Sequence, residues 1–212
     1  GDYLQLATTL LQIENEFYGT IRPKRTIFPG ERPLHALRER GVEYVEVRLL
    51  DLDPFEPIGI NAQTLRFLDV FLMHCLLADS PPDTPQELAD MADNQHLTAA
   101  RGREPGLMLQ RAGQAVSLVD WGQELLAAMA PVARWLDGHA IQGTSAHADA
   151  LATMVERLSH LETAPSARVL EQIRAREDQS FVGFARERSA HTRRWLLDLP
   201  WSAAQQASFD AE

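Results

Sequence analysis

Polar and apolar positions alternate with period two near the start of the chain. Over residues 11–18, Leu11, Ile13 and Phe17 fall on one side, while Gln12, Glu14, Glu16 and Tyr18 fall on the other. Asn15 interrupts the apolar side. This pattern predicts a strand with one packed and one polar face. A second alternation predicts a strand over residues 42–50, with Val45, Val47 and Leu49 on one face and Tyr44, Glu46 and Arg48 on the other. Between the two, Gly19-Thr20-Ile21-Arg22-Pro23-Lys24-Arg25 reads as a loop carrying three cations around a proline. A short helix over residues 33–40 is expected to stop at Gly41. Asp51-Leu52-Asp53-Pro54-Phe55-Glu56-Pro57 ends the second strand, because two prolines cannot continue a ladder.

From Asn61 onward the period becomes helical. Asn61 is a capping residue for a helix reaching about Ala78, and Ser80-Pro81-Pro82-Asp83 is a linker. Thr84-Pro85-Gln86-Glu87 has the form of a capping box with proline at the first helical position, opening a helix to about Arg101. Leu107-Met108-Leu109 and Ala115-Val116-Ser117-Leu118, around a turn at Gly113, predict a small hairpin. Helices are expected near residues 119–138, 145–162, 166–178 and 181–198, with Pro131 kinking or restarting the first. Residues after Pro200 are expected to fray. The fold class is α+β, with strands in residues 1–60 and a mainly helical portion, residues 61–212, packed on them.

Composition narrows the function. Of 212 residues 45% are hydrophobic, enough to bury a core, and the formal net charge is −10. That acidity argues against a general nucleic-acid binder and is compatible with a metal–nucleotide enzyme, in which carboxylates recruit the cation and a few arginines meet the phosphates. The single cysteine, Cys75, excludes an internal disulfide and suits a reducing compartment; its apolar surroundings read as those of a buried thiol. The apolar run around it is too short to span a bilayer, and no signal peptide is visible. A start at Gly1-Asp2, directly in a strand-like segment, reads as a piece of a larger protein.

Tyr44, Glu46 and Arg48 form the constellation best suited to chemistry. Alternate residues on one strand face can act on one ligand: glutamate offers hard oxygens for magnesium, and arginine offers a planar fork for a phosphoryl group. The same pattern also fits a solvated strand face with an ordinary ion pair. Glu14, Glu16 and Tyr18 repeat the arrangement, with Tyr18 able to present its ring and hydroxyl to a small substrate. Arg22, Lys24 and Arg25 could reach nucleotide phosphates or form local ion pairs. The seven histidines make no metal signature, His139 and His147 included, and there is no glycine-rich phosphate loop. Trp121, Trp135, Trp195 and Trp201 read as core residues.

Several blocks resemble bacterial glutamate–cysteine ligase (γ-glutamylcysteine synthetase), in its C-terminal portion. They are Tyr3-Leu4-Gln5-Leu6, Leu11-Gln12-Ile13-Glu14-Asn15-Glu16-Phe17-Tyr18, Ile21-Arg22-Pro23-Lys24-Arg25, Val42-Glu43-Tyr44-Val45-Glu46-Val47-Arg48 and Leu52-Asp53-Pro54-Phe55-Glu56-Pro57-Ile58-Gly59. Gly102-Arg103-Glu104-Pro105-Gly106 adds another element, and beyond about Leu118 only helical character is shared. Around Asn94-Gln95, where the family has a tryptophan beside the asparagine, the chain departs from the pattern. The resemblance implies part of a glutamine-synthetase-like antiparallel sheet. It also implies a cytoplasmic enzyme of glutathione biosynthesis that joins the glutamate γ-carboxylate to the cysteine amine with ATP and magnesium, through γ-glutamyl phosphate. It makes Glu46 a magnesium ligand, Arg48 the residue that stabilises the transferring phosphoryl group, and Tyr18 part of the cysteine pocket. Arg22, Lys24 and Arg25 become nucleotide contacts. The implied partners are glutamate, cysteine and the upstream part of the same enzyme, with no nucleic acid and no membrane; alone, the chain is expected to be inactive. Two alternatives stay open: a related carboxylate–amine ligase using another amine, and a non-catalytic helical interaction module.

Overall fold

The computed structural model describes residues 19–140 and 145–210. The predicted strand over residues 11–18, Tyr18 included, lies outside the described residues. The chain divides into two compact units, with the break between Leu52 and Asp53.

The first unit contains strand β1 (Ile21–Lys24), helix α1 (Pro33–Arg40) and strand β2 (Tyr44–Val47). The supposed cationic loop is therefore largely a strand, which pairs antiparallel with β2. Pro23 brings no N–H to that ladder. Backbone bonds from Glu43 N to Lys24 O and from Arg48 N to Thr20 O, both 2.9 Å, carry the pairing past each end. Strand β2 is shorter than the alternation predicts. Helix α1 ends as expected at Gly41, whose φ of 73° a residue with a side chain rarely adopts.

The second unit is mostly helical: α2 (Ala62–Leu77), α3 (Pro85–Arg101), strands β3 (Met108–Arg111) and β4 (Gln114–Ser117), α4 (Leu118–Gly138), α5 (Ala146–Ser159), α6 (Pro165–Ala175), α7 (Phe181–Leu197) and α8 (Ala203–Asp210). Asn61 caps α2 by accepting from Thr64 N at 2.9 Å. Thr84 and Glu87 form both halves of the predicted capping box on α3. The hairpin β3–β4 turns at Ala112 and Gly113, both with positive φ (51° and 76°), the pairing a two-residue type I′ turn requires. Helix α4 runs through Pro131 with no restart, and α8 is formed where fraying is expected.

The core lies among α2, α4 and α5, where Val70, Leu126, Met129, Ala133 and Leu151 are buried together and Phe67, Phe71 and Met154 pack against them. Cys75 is exposed, contrary to its apolar setting, because it falls outside this seam. Trp135, Trp195 and Trp201 are likewise exposed rather than core. Asn94 on α3 reaches β3 as a strand neighbour would: its Nδ2 donates to Gln110 O (2.7 Å), and its Oδ1 accepts from Gln110 N (2.8 Å). At the other end of the unit, Phe55 is flanked by the guanidinium groups of Arg168 (3.9 Å from the ring centroid) and Arg188 (5.3 Å). Phe184 meets it edge-on, and Arg188 Nε donates to Pro54 O at 3.1 Å.

Candidate functional site

Antiparallel register decides which side chains meet. Arg22 stands opposite Glu46, and Lys24 stands opposite Tyr44. Directly opposed residues share a face, so these four look to the same side, and Arg48 follows Glu46 along it. Lys24 Nζ lies 3.2 Å from Glu46 Oε2, and Arg48 Nε lies 3.9 Å from the same oxygen. The contact with Lys24 holds the Glu46 carboxyl below the usual range; desolvation opposes it, and the charges of Lys24, Arg48 and Arg22 reinforce it. The result is an ionised carboxylate set among cations on one strand face. The stretch that bears Glu46 and Arg48 is extended, as the alternation predicts. Val45 and Val47 on the reverse face are 41% and 39% exposed, so the apolar side is less packed than expected.

Arg25 lies past the end of β1 and takes part in a different cluster. Its Nη1 donates to Arg40 O at 3.0 Å, and its Nε is 3.7 Å from Glu43 Oε2. Arg40 in turn forms a fork to Glu31, with both bonds at 2.7 Å, and lies 4.5 Å over the Phe28 ring. Hydrogen bonding from Arg40, then from the Phe28 amide, lowers the Glu31 carboxyl to about 2. This cluster ties the β1–α1 connection to the far end of α1. Arg25 nevertheless borders a groove of about 680 Å³ between β1 and α1, together with Arg22, Lys24, Leu34, Leu37 and Tyr44.

The alternation missed two features of this region. Leu34 and Leu37 supply an apolar wall, legible only as the inward spacing of a very short helix. Arg22 and Lys24 are strand residues rather than loop residues; the period-two run Ile21-Arg22-Pro23-Lys24 was the signal, masked by its proline.

Magnesium has an incomplete fit here. Glu46 offers hard oxygens, but Lys24 already engages Oε2, and magnesium takes about six oxygens, usually from carboxylates, phosphates and water. Among the described residues no group of three or more His, Cys, Asp or Glu could hold a metal ion. The described residues therefore do not make a magnesium site alone. Among the same residues, no helix is long and apolar enough to cross a membrane.

Residues 1–98 match the family model described as glutamate-cysteine ligase. The chain is 47% identical over 210 residues to a glutamate–cysteine ligase of Janthinobacterium sp. (strain Marseille), covering 99% of this chain and 39% of that protein. It is 45% identical, with the same coverage, to a glutamate–cysteine ligase of Pseudomonas paraeruginosa (strain DSM 24068 / PA7). The crystal structure of glutamate–cysteine ligase from Francisella tularensis in complex with AMP is similar at a TM-score of 0.81 and 34% identity, over 98% of this chain and 40% of that one. The chain thus spans about two fifths of the length of the relatives it matches. Over nearly all of its length this chain is similar to glutamate–cysteine ligases, and its first 98 residues match that family's model.

Proposed function

We propose that this chain contributes part of the active site of an enzyme that joins the γ-carboxylate of glutamate to the amine of cysteine at the expense of ATP. One observation carries the reading: Glu46 on β2 and Arg48, just past its end, look out from the same side, with Arg22 and Lys24 beside them on β1. A family relative crystallised with AMP supports nucleotide binding. In this reading residues 1–60 are the catalytic-sheet portion, a piece of a glutamine-synthetase-like antiparallel sheet, and residues 61–212 are the helical portion. Tyr18 lines the cysteine pocket, while Arg22, Lys24 and Arg25 contact the nucleotide.

A carboxylate is a poor acyl donor, so the reaction runs through an acyl phosphate. The glutamate γ-carboxylate oxygen attacks the terminal phosphorus of ATP, and the bond to the bridging oxygen breaks to release ADP. The cysteine amine then attacks the acyl carbon, phosphate leaves with the bonding pair, and the amine loses a proton. Arg48 faces the charge that gathers on the phosphoryl oxygens, where a fixed guanidinium fork favours the transition state over the ground state. Glu46 stays ionised under the influence of its cationic neighbours and would provide one oxygen to magnesium, whose chemistry is to neutralise phosphate charge. The enzyme works in the cytoplasm on glutamate and cysteine, and this chain alone is inactive, because further ligands come from the upstream part of the same enzyme.

The test is Arg48→Ala in the full-length enzyme, assayed for phosphate release with glutamate, cysteine and ATP. A fall in kcat of about 100-fold or more is expected, the usual cost of losing one preorganised transition-state donor. Unchanged turnover would return the β2 face to an ordinary ion-paired surface.

A further inference from the structure

The second unit carries a groove between α6 and α7 that the ligase reading does not use. It has a volume of about 370 Å³, within the range of small-ligand sites, and is bordered by Arg176, Phe184, Glu187, Arg188, His191 and Arg194. In a chain of net charge −10, α7 is a basic exception: Arg186, Arg188, Arg193 and Arg194 oppose the single acid Glu187. The charges in the groove are not equivalent. Arg176 is answered on both sides, by Asp178 at 2.9 Å and Glu187 at 2.5 Å. Arg188 is held by one bond, Nε to Pro54 O, and by the Phe55 ring, neither of which neutralises it. Arg194 has no ion-pair partner among the described residues, and neither does His191, one turn from each arginine.

We propose that this groove binds a phosphate group, with Arg188 and Arg194 as its two forks and His191 between them. Guanidinium forks match a tetrahedral oxyanion, and a pair of them answers a dianion's charge. Two features favour a small anion over an acidic protein surface. The groove is concave, and its one lining acid, Glu187, is already committed to Arg176 and so fixes the wall instead of repelling the ligand. Phe184 on the floor is 4% exposed, leaving little apolar surface for a larger body.

The test is calorimetric and NMR titration of the 212-residue chain with inorganic phosphate and, separately, with ribose 5-phosphate, following the arginine Nε–H signals. One-to-one binding that weakens with added sodium chloride is expected, with the Arg194 signal moving. Arg194→Gln should weaken binding about tenfold, the scale of one charge-assisted fork. Arg193→Gln, on the same helix but outside the groove, should change it less than about twofold, since its contribution is only a screened field. Circular dichroism of each variant separates binding loss from unfolding. Equal affinity for the two ligands identifies free phosphate as sufficient, and tighter ribose 5-phosphate identifies a phosphorylated small molecule; either upholds the site. No saturable binding at millimolar ligand, or equal losses from Arg193→Gln and Arg194→Gln, would overturn it.

Discussion

Asp137 offers the sharpest test of how the helical unit holds together. It ends α4, is 9% exposed, and reaches the start of α5. Its Oδ1 accepts from the His147 backbone N–H at 2.9 Å and lies 2.8 Å from His147 Nδ1, while its Oδ2 accepts from Ala148 N at 2.9 Å. These backbone donors belong to the first turn of α5, where a helix has no internal acceptors. Ser145, at the capping position, makes no side-chain cap bond, so Asp137 does that work from another helix. Asp137→Ala would strand two backbone donors and the imidazole. Charge-assisted bonds contribute roughly 1.5–3 kcal/mol each and overlap when they share an acceptor, so the loss should be about 3 kcal/mol. For a unit of this size that lowers Tm by roughly 6–12 °C. Asp137→Asn keeps one acceptor oxygen but turns an NH2 toward the other donors, and should cost about 2 kcal/mol. Burial, the largest influence, pushes the Asp137 carboxyl up, but the two backbone bonds and His147 together outweigh it and hold it below its ordinary value. A carboxyl lowered by folding stabilises fully above its unfolded pKa, near 4, and loses that contribution as pH falls through the folded value. The gap between the parent chain and Asp137→Ala should therefore be full at pH 7 and shrink below about pH 4. Thermal and urea unfolding followed by far-ultraviolet circular dichroism, from pH 7 to 3, measures it. A difference under about 0.5 kcal/mol at pH 7 would refute the reasoning, since that is the scale of a neutral surface change.

Three further outcomes can be checked. Ala112→Asn should stabilise the chain by about 0.5 kcal/mol in urea unfolding, because asparagine tolerates the positive φ of a type I′ turn better than alanine does. Asn94→Ala should cost about 1 kcal/mol and speed amide exchange selectively at Gln110, whose backbone groups lose both partners. Lys24→Gln should raise the Glu46 pKa toward the ordinary carboxylate value in a carboxyl carbon NMR titration, as Lys24 is the leading cause of its depression; an unmoved titration would mean that Arg48 and Arg22 set it instead.

Much of this fold is legible where local chemistry is decisive. Thr84 with Glu87, Asn61 ahead of its helix, Gly41 at the end of α1 and the turn at Gly113 act through bonds within a few residues, and each sits where the sequence implies. The alternation of Tyr44, Glu46 and Arg48 likewise survives as one face. What misled was context. Pro23 made a strand look like a loop, because its missing N–H matters only if the ladder needs that donor. Cys75 and the tryptophans at 135, 195 and 201 looked like core, but an apolar residue is buried only when another element covers its side of the helix. The α2–α4–α5 seam covers Val70 and Met129 and leaves these four outside. Asp137 and His147 could not be paired from sequence, since nothing in a ten-residue spacing across a helix break marks an acceptor for someone else's N-terminus.

The flanking of Phe55 by Arg168 and Arg188 ties residues more than a hundred positions apart. During synthesis, α2 to α5 leave the ribosome before α6 and α7 exist, so the Pro54–Phe55 segment must wait, unfastened, while the bundle forms behind it. A chain stopped ahead of residue 165 should then possess a sound α2–α4–α5 core yet a loose Pro54–Phe55 segment, vulnerable to proteases at Phe55. Helices α6 and α7 act as a latch, closed only after both have been made.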